Sequence, residues 1–366
     1  MIQVRAPGRV CLVGEHTDYN AGLVLPAAID LGYTVTVKAR LDGRTVVTSV
    51  AYSDEWSLGD PREDGWRRYA AGVLHHLSAA GVAVDGLDVE VSGDLLPGRG
   101  LGSSGAFEFG IALAVATFRG RSFPRIELAR LCLAAETEYV GVKSELMDQF
   151  ICGHGRRDHA VCLDMASMRW DAITVPSSWA FLLFDSGAPR ALSGSPFNLR
   201  RQQCQDALAG LRAARPDLAS LSDPGIREAD LAFLEGDLLK RARHVWSENR
   251  RVQSAVRALR SEDLRAFTGA MTASHESLRA DFETTTPELD SLCEAAHEAA
   301  GLHGIPVGAK VCGAGFGGCV LVCVPSRFAQ DVQTGIACRF ERDHGSRPWT
   351  RLVRFVDAAS VQESNP

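Results

Sequence analysis

Asp148 stands inside Leu146-Met-Asp-Gln-Phe-Ile151, an acid in an otherwise apolar run. A carboxylate placed there is costly unless it is paired or does chemistry; the alternative is a helix cap. Its natural partner is Arg9, in Pro7-Gly-Arg-Val10. An arginine beside a buried carboxylate keeps it ionised and can stabilise charge on a transferred group. Read alone, Arg9 is a surface charge beside a turn. Glu15-His-Thr-Asp18 follows the apolar strand Val10-Cys-Leu-Val13. Polar side chains clustered at a strand end can bracket adjacent sugar-type hydroxyls, or simply cap a turn. Zinc is not indicated: His16 follows Glu15 directly and no second histidine stands at HExxH spacing.

Two glycine-rich segments supply a different chemistry. Pro97-Gly-Arg-Gly-Leu-Gly-Ser-Ser-Gly-Ala106 leads into an apolar helical run. Glycines let backbone N–H groups point at an anion, and the helix N-terminus adds its positive dipole end. Ser103 and Ser104 can offer hydroxyls to phosphate or Mg²⁺, or cap the helix. No Gly-Lys-Ser/Thr follows, so this is not a Walker loop. Lys310-Val-Cys-Gly-Ala-Gly-Phe-Gly-Gly-Cys319 lies between β-branched segments. It reads as a tight turn between strands or as backbone pressed against something else.

The elements that must position these residues are read as follows. Tyr33–Val37, Thr45–Thr48 and Leu87–Val91 alternate as strands. Helices are expected over 66–80, 103–118 and 126–140, with a break at Gly141. Strand signals return at Ala160–Leu163 and Ala180–Phe184; 198–300 is helical in texture, and the last 60 residues turn β-like again. At 366 residues two domains are expected, 1–175 and 176–366. The net charge of −6 gives no nucleic-acid footprint. No apolar run reaches membrane length and no signal peptide opens the chain. Ten dispersed cysteines without a CxxC pair suit buried thiols in a reducing cytoplasm.

In chain order, Gly8-Arg-Val-Cys-Leu-Val-Gly-Glu-His-Thr-Asp-Tyr-Asn20, the Pro97–Ala106 loop and Lys310–Cys319 resemble the GHMP small-molecule kinases, and within them the galactokinases. The resemblance extends through Gly155–Ala160, His244-Val-Trp-Ser-Glu-Asn249, Ser274–Arg279 and Pro287–Asp290. It implies an α/β (α+β) two-domain GHMP kinase fold with the active site in the inter-domain cleft. The implied activity is ATP-dependent phosphorylation of a sugar hydroxyl, the anomeric one. It implies Asp148 as the catalytic aspartate, with Arg9 stabilising charge, and Ser104 and Glu136 as Mg²⁺ ligands. ATP is expected on Pro97, Gly98, Gly100, Leu101, Gly102, Ser103, Ser104 and Gly105, with Gly313 and Gly315 closing from the second loop. The sugar is expected at Glu15, His16 and Asp18, beside Glu145 and Phe197.

Four departures from the galactokinase pattern stand out. Leu101-Gly-Ser-Ser-Gly-Ala-Phe-Glu108 replaces the usual Leu-Ser-Ser-Ser-Ala-Ser-Leu-Glu, and Cys11 replaces an Asn. Glu145 stands where the family has a glycine touching the sugar, and Phe197 where it has a sugar-contacting tyrosine. A buried carboxylate favours hydroxyl donors or a cation. The expectation is therefore galactose or a related, modified sugar, with galactose itself the poorer acceptor; a cyclitol or amino sugar is the alternative. A non-catalytic sugar sensor is the reading from another class.

Overall fold

Pro26–Ala39 is the central strand of a six-stranded sheet. It pairs antiparallel with Ile2–Cys11 on one side and Leu87–Gly93 on the other, carrying Ile29, Val35 and Val37 fully buried. Val46–Ser49 adds parallel to Leu87–Gly93 and Asp54–Ser57 closes that edge. Helix Ser103–Phe118 lies across Ile2–Cys11 and Pro26–Ala39. It is apolar around most of its circumference because Trp66–Ala79, Arg125–Ala134 and Met147–His154 enclose it. The computed structural model describes residues 1–61, 63–188 and 196–362.

A second, four-stranded sheet runs Gly308–Val311, Cys319–Pro325, Trp179–Asp185, Thr350–Val353. Helices Pro287–Gly301 and Ala329–His344 pack beside it. Every residue of Trp179–Asp185 is buried. Leu182 and Phe184 enter the core under these helices, whereas Phe181 and Leu183 join the core of the six-stranded sheet. Cys319–Pro325 divides its faces the same way, with Leu321 and Cys323 in the first core and Val320, Val322 and Val324 in the second, so the two cores meet through these adjacent strands. A three-stranded sheet of Leu23–Val24, His159–Asp164 and Trp170–Thr174 completes the β structure among the described residues.

Two sequence expectations change. The unit expected at 176–366 gives up its end to the first sheet: Ser360–Val361 pairs with Ile2–Cys11, and Ala359 N donates to Cys152 O at 2.7 Å. Burial of Phe355 and Ala359 against that sheet drives the return. The helix expected over 126–140 is α-helical only over Arg125–Ala134 and finishes as a π-helical turn, Ala135–Val140. Such turns re-aim side chains and concentrate at functional sites; this one carries Glu136.

Candidate active site

Helix Ser103–Phe118 starts from Gly102, whose φ of 69° lies in the left-handed region, and no side chain caps it. Ser103 Oγ instead accepts a long bond from Gly98 N, at 3.4 Å. The serine-cap alternative is therefore not the one that forms. An uncapped helix N-terminus behind a glycine loop is an anion site in electrostatic terms.

Lys310–Cys319 links two antiparallel strands and also presses backbone on backbone. A Cβ on Gly313 would come within 2.8 Å of Gly100 Cα, so only glycine permits the approach. Cys319 N donates to Arg99 O at 3.2 Å across the same contact. The sequence places Gly313 and Gly315 on the nucleotide. Here Gly313 borders the Glu15–Asp18 side of the cleft and gives its N–H to Glu15 Oε1 at 2.7 Å, while Gly315 packs on Thr284.

Asp148 lies in the first turn of Met147–His154. Arg9 grips it with both arms of its fork, Nε to Oδ1 at 2.7 Å and Nη2 to Oδ2 at 2.9 Å. Arg9 Nη1 donates to Gly100 O, and its backbone N to Leu101 O at 2.8 Å. One buried arginine thus ties the glycine loop to the aspartate. Burial opposes the Arg9 charge, but Asp148 outweighs it and holds the guanidinium pKa above its usual value. The pair lines a cleft of about 410 Å³ that Ser104, Glu136, Glu15 and Asp18 also face.

Glu15 is buried and takes Lys310 Nζ at 3.1 Å besides the Gly313 amide. Lys310 is itself fully buried and also donates to the carbonyls of Cys11 and Val311. His16 lies 3.1 Å by Nε2 from Ala314 O and 2.9 Å by Nδ1 from the Tyr19 hydroxyl. A carbonyl only accepts, so Nε2 carries the proton and, in the neutral ring, Nδ1 accepts from Tyr19. Asp18 is pushed up to about 7 by burial first, and then by the charges of Glu145, Asp148 and Glu15. Phe197 sits by these aromatic rings, 6.0 Å from His16 and 5.9 Å from Tyr19 between centroids.

Glu145 is not a free charge. Arg201 meets it at 2.6 Å, donates to Lys143 O at 3.1 Å, and lies over the Tyr19 ring at 4.9 Å. The sequence shows the Arg200-Arg201 pair but not this partner, because the two positions are far apart in the chain and meet only across the cleft.

Glu136 is buried and receives Gln149 Nε2 at 2.7 Å, with Ser144 and Ser104 hydroxyls also bonded to it. Burial, then the Asp148 charge, pushes its carboxyl up to about 7. Among the described residues no basic side chain pairs with it, so a divalent cation would relieve this penalty. The donor set, carboxylate plus hydroxyl, is oxygen only and suits a hard cation. Among the described residues no three His, Cys, Asp or Glu side chains converge into an all-protein cage. That fits Mg²⁺, which binds through one or two carboxylates plus substrate phosphates.

Helix Gly236–Arg260 holds the turn carrying Glu15 and Asp18. His244 Nε2 donates to Glu15 O at 3.0 Å, Glu248 Oε1 accepts from Gly14 N at 2.8 Å, and Asn249 Oδ1 from Leu23 N at 2.8 Å. The positioning role of His244, Glu248 and Asn249 escapes a reading of the sequence. The spacing of four does place His244 and Glu248 on one helix face, with Asn249 next to Glu248 in the chain.

Residues 2–39 match the galactokinase galactose-binding signature, 68–156 the GHMP kinase N-terminal domain, and 255–340 the GHMP kinase C-terminal domain. The galactokinase of Exiguobacterium sibiricum is 36% identical over 350 residues, covering 93% of this chain and 88% of that protein. The chain belongs to the galactokinase family of GHMP kinases. The galactokinase of a Roseiflexus species is 38% identical over 362 residues, covering 97% and 91%. The crystal structure of Lactococcus lactis galactokinase complexed with galactose superposes with a TM-score of 0.90 at 30% identity, over 98% of this chain and 94% of that one. As a member of the galactokinase family, the protein is an ATP-dependent sugar kinase, and ATP is its co-substrate. Among the described residues no helix is long and apolar enough to cross a membrane.

Proposed function

We propose that this kinase transfers the γ-phosphoryl group of ATP to the anomeric hydroxyl of galactose, or of a neutral hexose sharing its configuration. The observation that carries the reading is the two-armed clamp of Arg9 on Asp148, set between the uncapped helix N-terminus and the Glu15–Asp18 turn. In it the phosphates lie along Pro97–Gly105. Asp148 orients the acceptor hydroxyl and takes its proton as the oxygen attacks phosphorus and ADP leaves. Three of Arg9's N–H groups are spent on Asp148 and Gly100, so Arg9 acts on the transferred group chiefly through its charge. Ser104 and Glu136 would hold Mg²⁺, which when bound neutralises charge on the phosphates. Glu15, His16 and Asp18 receive the acceptor hydroxyls.

The names of the relatives and the galactose in the Lactococcus lactis structure support the acceptor. The paired state of Glu145 favours a neutral hexose over an amino sugar, since Arg201 already supplies the cation an ammonium would. This withdraws the main ground for expecting a modified acceptor. Asp148→Asn tests the assignment. Transfer should fall ~10²–10⁴-fold while ATP binding, measured by calorimetry, stays near wild type. Near-native turnover in that variant would remove Asp148 from the chemistry.

A further inference from the structure

Gln149, next in sequence to Asp148, is fully buried and outside the cleft lining. Its one amide nitrogen serves two carboxylates, Glu136 Oε2 at 2.7 Å and Glu108 Oε2 at 3.0 Å. Glu108 is likewise fully buried, one helical turn beyond Ser104. Among the described residues neither Gln149 Oε1 nor Glu108 Oε1 meets a donor. An unsatisfied buried acceptor costs ~1–3 kcal/mol, so apolar residues of similar shape would make a more stable core here. What the polar chain provides is direction. It fixes one oxygen of Glu136, and it is anchored through residues adjoining Asp148 and Ser104, the other two groups of the site.

We propose that Gln149, itself held by Glu108, is a positioning residue that fixes the Glu136 carboxylate for the metal of the nucleotide. The proposal rests on the reading of Glu136 as a metal carboxylate. Partners that orient a ligating carboxylate are worth ~10–100-fold in metal affinity. Calorimetry with a non-hydrolysable ATP analogue across a Mg²⁺ series reads this without turnover. Gln149→Leu and Glu108→Leu should each shift the Mg²⁺ dependence of analogue binding upward by ~10-fold or more. Metal-free analogue binding should not change, and activity should recover at high Mg²⁺. Glu108→Gln still offers Gln149 an acceptor and should stay close to wild type. The double Leu variant should be little worse than either single one, because both break the same chain.

Glu136→Gln, run in parallel, separates the failures. If it leaves the Mg²⁺ dependence unchanged, the metal reading falls and this proposal with it. If Glu136→Gln shifts the dependence while Gln149→Leu, folded by its melting curve, does not, the positioning role alone is overturned. Should Gln149→Leu not fold, Glu108→Leu against Glu108→Gln decides the question: equal Mg²⁺ dependence in those two refutes the chain.

Discussion

Arg201 is a cation at the Glu145 end of the cleft. It neutralises Glu145, stacks on Tyr19 and grips the backbone at Lys143. Arg201→Leu leaves the Glu145 carboxylate unpaired beside Asp18, whose carboxyl is already pushed up to about 7 by burial and then by negative neighbours. We expect KM for galactose to rise several-fold with kcat changed less, and an amino sugar to gain relative to galactose. Steady-state kinetics with galactose and galactosamine checks both; an unchanged ratio between the two sugars would show that Arg201 does not set the charge of the pocket. The type of each cleft residue was legible in the sequence: Arg9, Glu15, Asp18, Glu136, Glu145 and Asp148 all face one cavity. Their pairing was legible for Arg9 with Asp148 alone. Glu145 was read as a buried carboxylate open to hydroxyl donors or a cation because nothing local marks residue 201 as its partner, and Lys310 went unread inside a motif dominated by its glycines.

At the scale of elements, helix Gly236–Arg260 braces the turn that carries Glu15 and Asp18, and its bonds carry a pH signature. Burial keeps His244 neutral, lowering its pKa to about 4. Glu248 is held at about 2: burial opposes its charge, but Arg251 and His244 outweigh that. The unfolded chain binds a proton on histidine near 6.5 and on glutamate near 4.5. The His244 contribution is therefore complete above pH 6.5 and is lost as pH falls from 6.5 to 4. The Glu248 contribution is lost from 4.5 to 2. Asp18 and Glu136, both raised to about 7, pull the other way between pH 7 and 4, so the total curve hides the histidine. The difference between His244→Gln and wild type isolates it. Relative to wild type, the variant should gain stability as pH drops from 6.5 to 4, on the order of 3 kcal/mol in total, and the difference should be flat above pH 7. Urea unfolding at several pH values measures this, and a pH-independent difference would mean His244 is not held neutral. Helix positions were legible from apolar periodicity; the brace was not, because His244, Glu248 and Asn249 act on backbone atoms over 200 residues away in sequence. The π-helical turn at Glu136 was also hidden, since π geometry leaves no mark in apolar spacing.

Across the whole molecule, Trp179–Asp185 and Cys319–Pro325 each turn one face to either core, and the end of the chain returns to the sheet that begins it. Phe355, near the C-terminus, is 6% exposed and belongs to the first core. Phe355→Ala should cost on the order of 3 kcal/mol and lower the unfolding midpoint, with KM for both substrates unchanged because the residue is remote from the cleft. A midpoint within error of wild type would show that the returning segment does not hold the sheet. Length and the alternation of β-like and helical texture led to the expectation of units at 1–175 and 176–366. The return was not legible, because a two-residue strand such as Ser360–Val361 carries no periodicity. All of this scaffolding serves one reaction, which phosphorus NMR of the wild-type protein with Mg·ATP and galactose observes directly. The expected result is one sugar 1-phosphate formed for each ATP converted to ADP, with ATP left intact when sugar is omitted. A phosphate on another hydroxyl, or ATP unconsumed with galactose and with every neutral hexose tried, would contradict the proposed reaction.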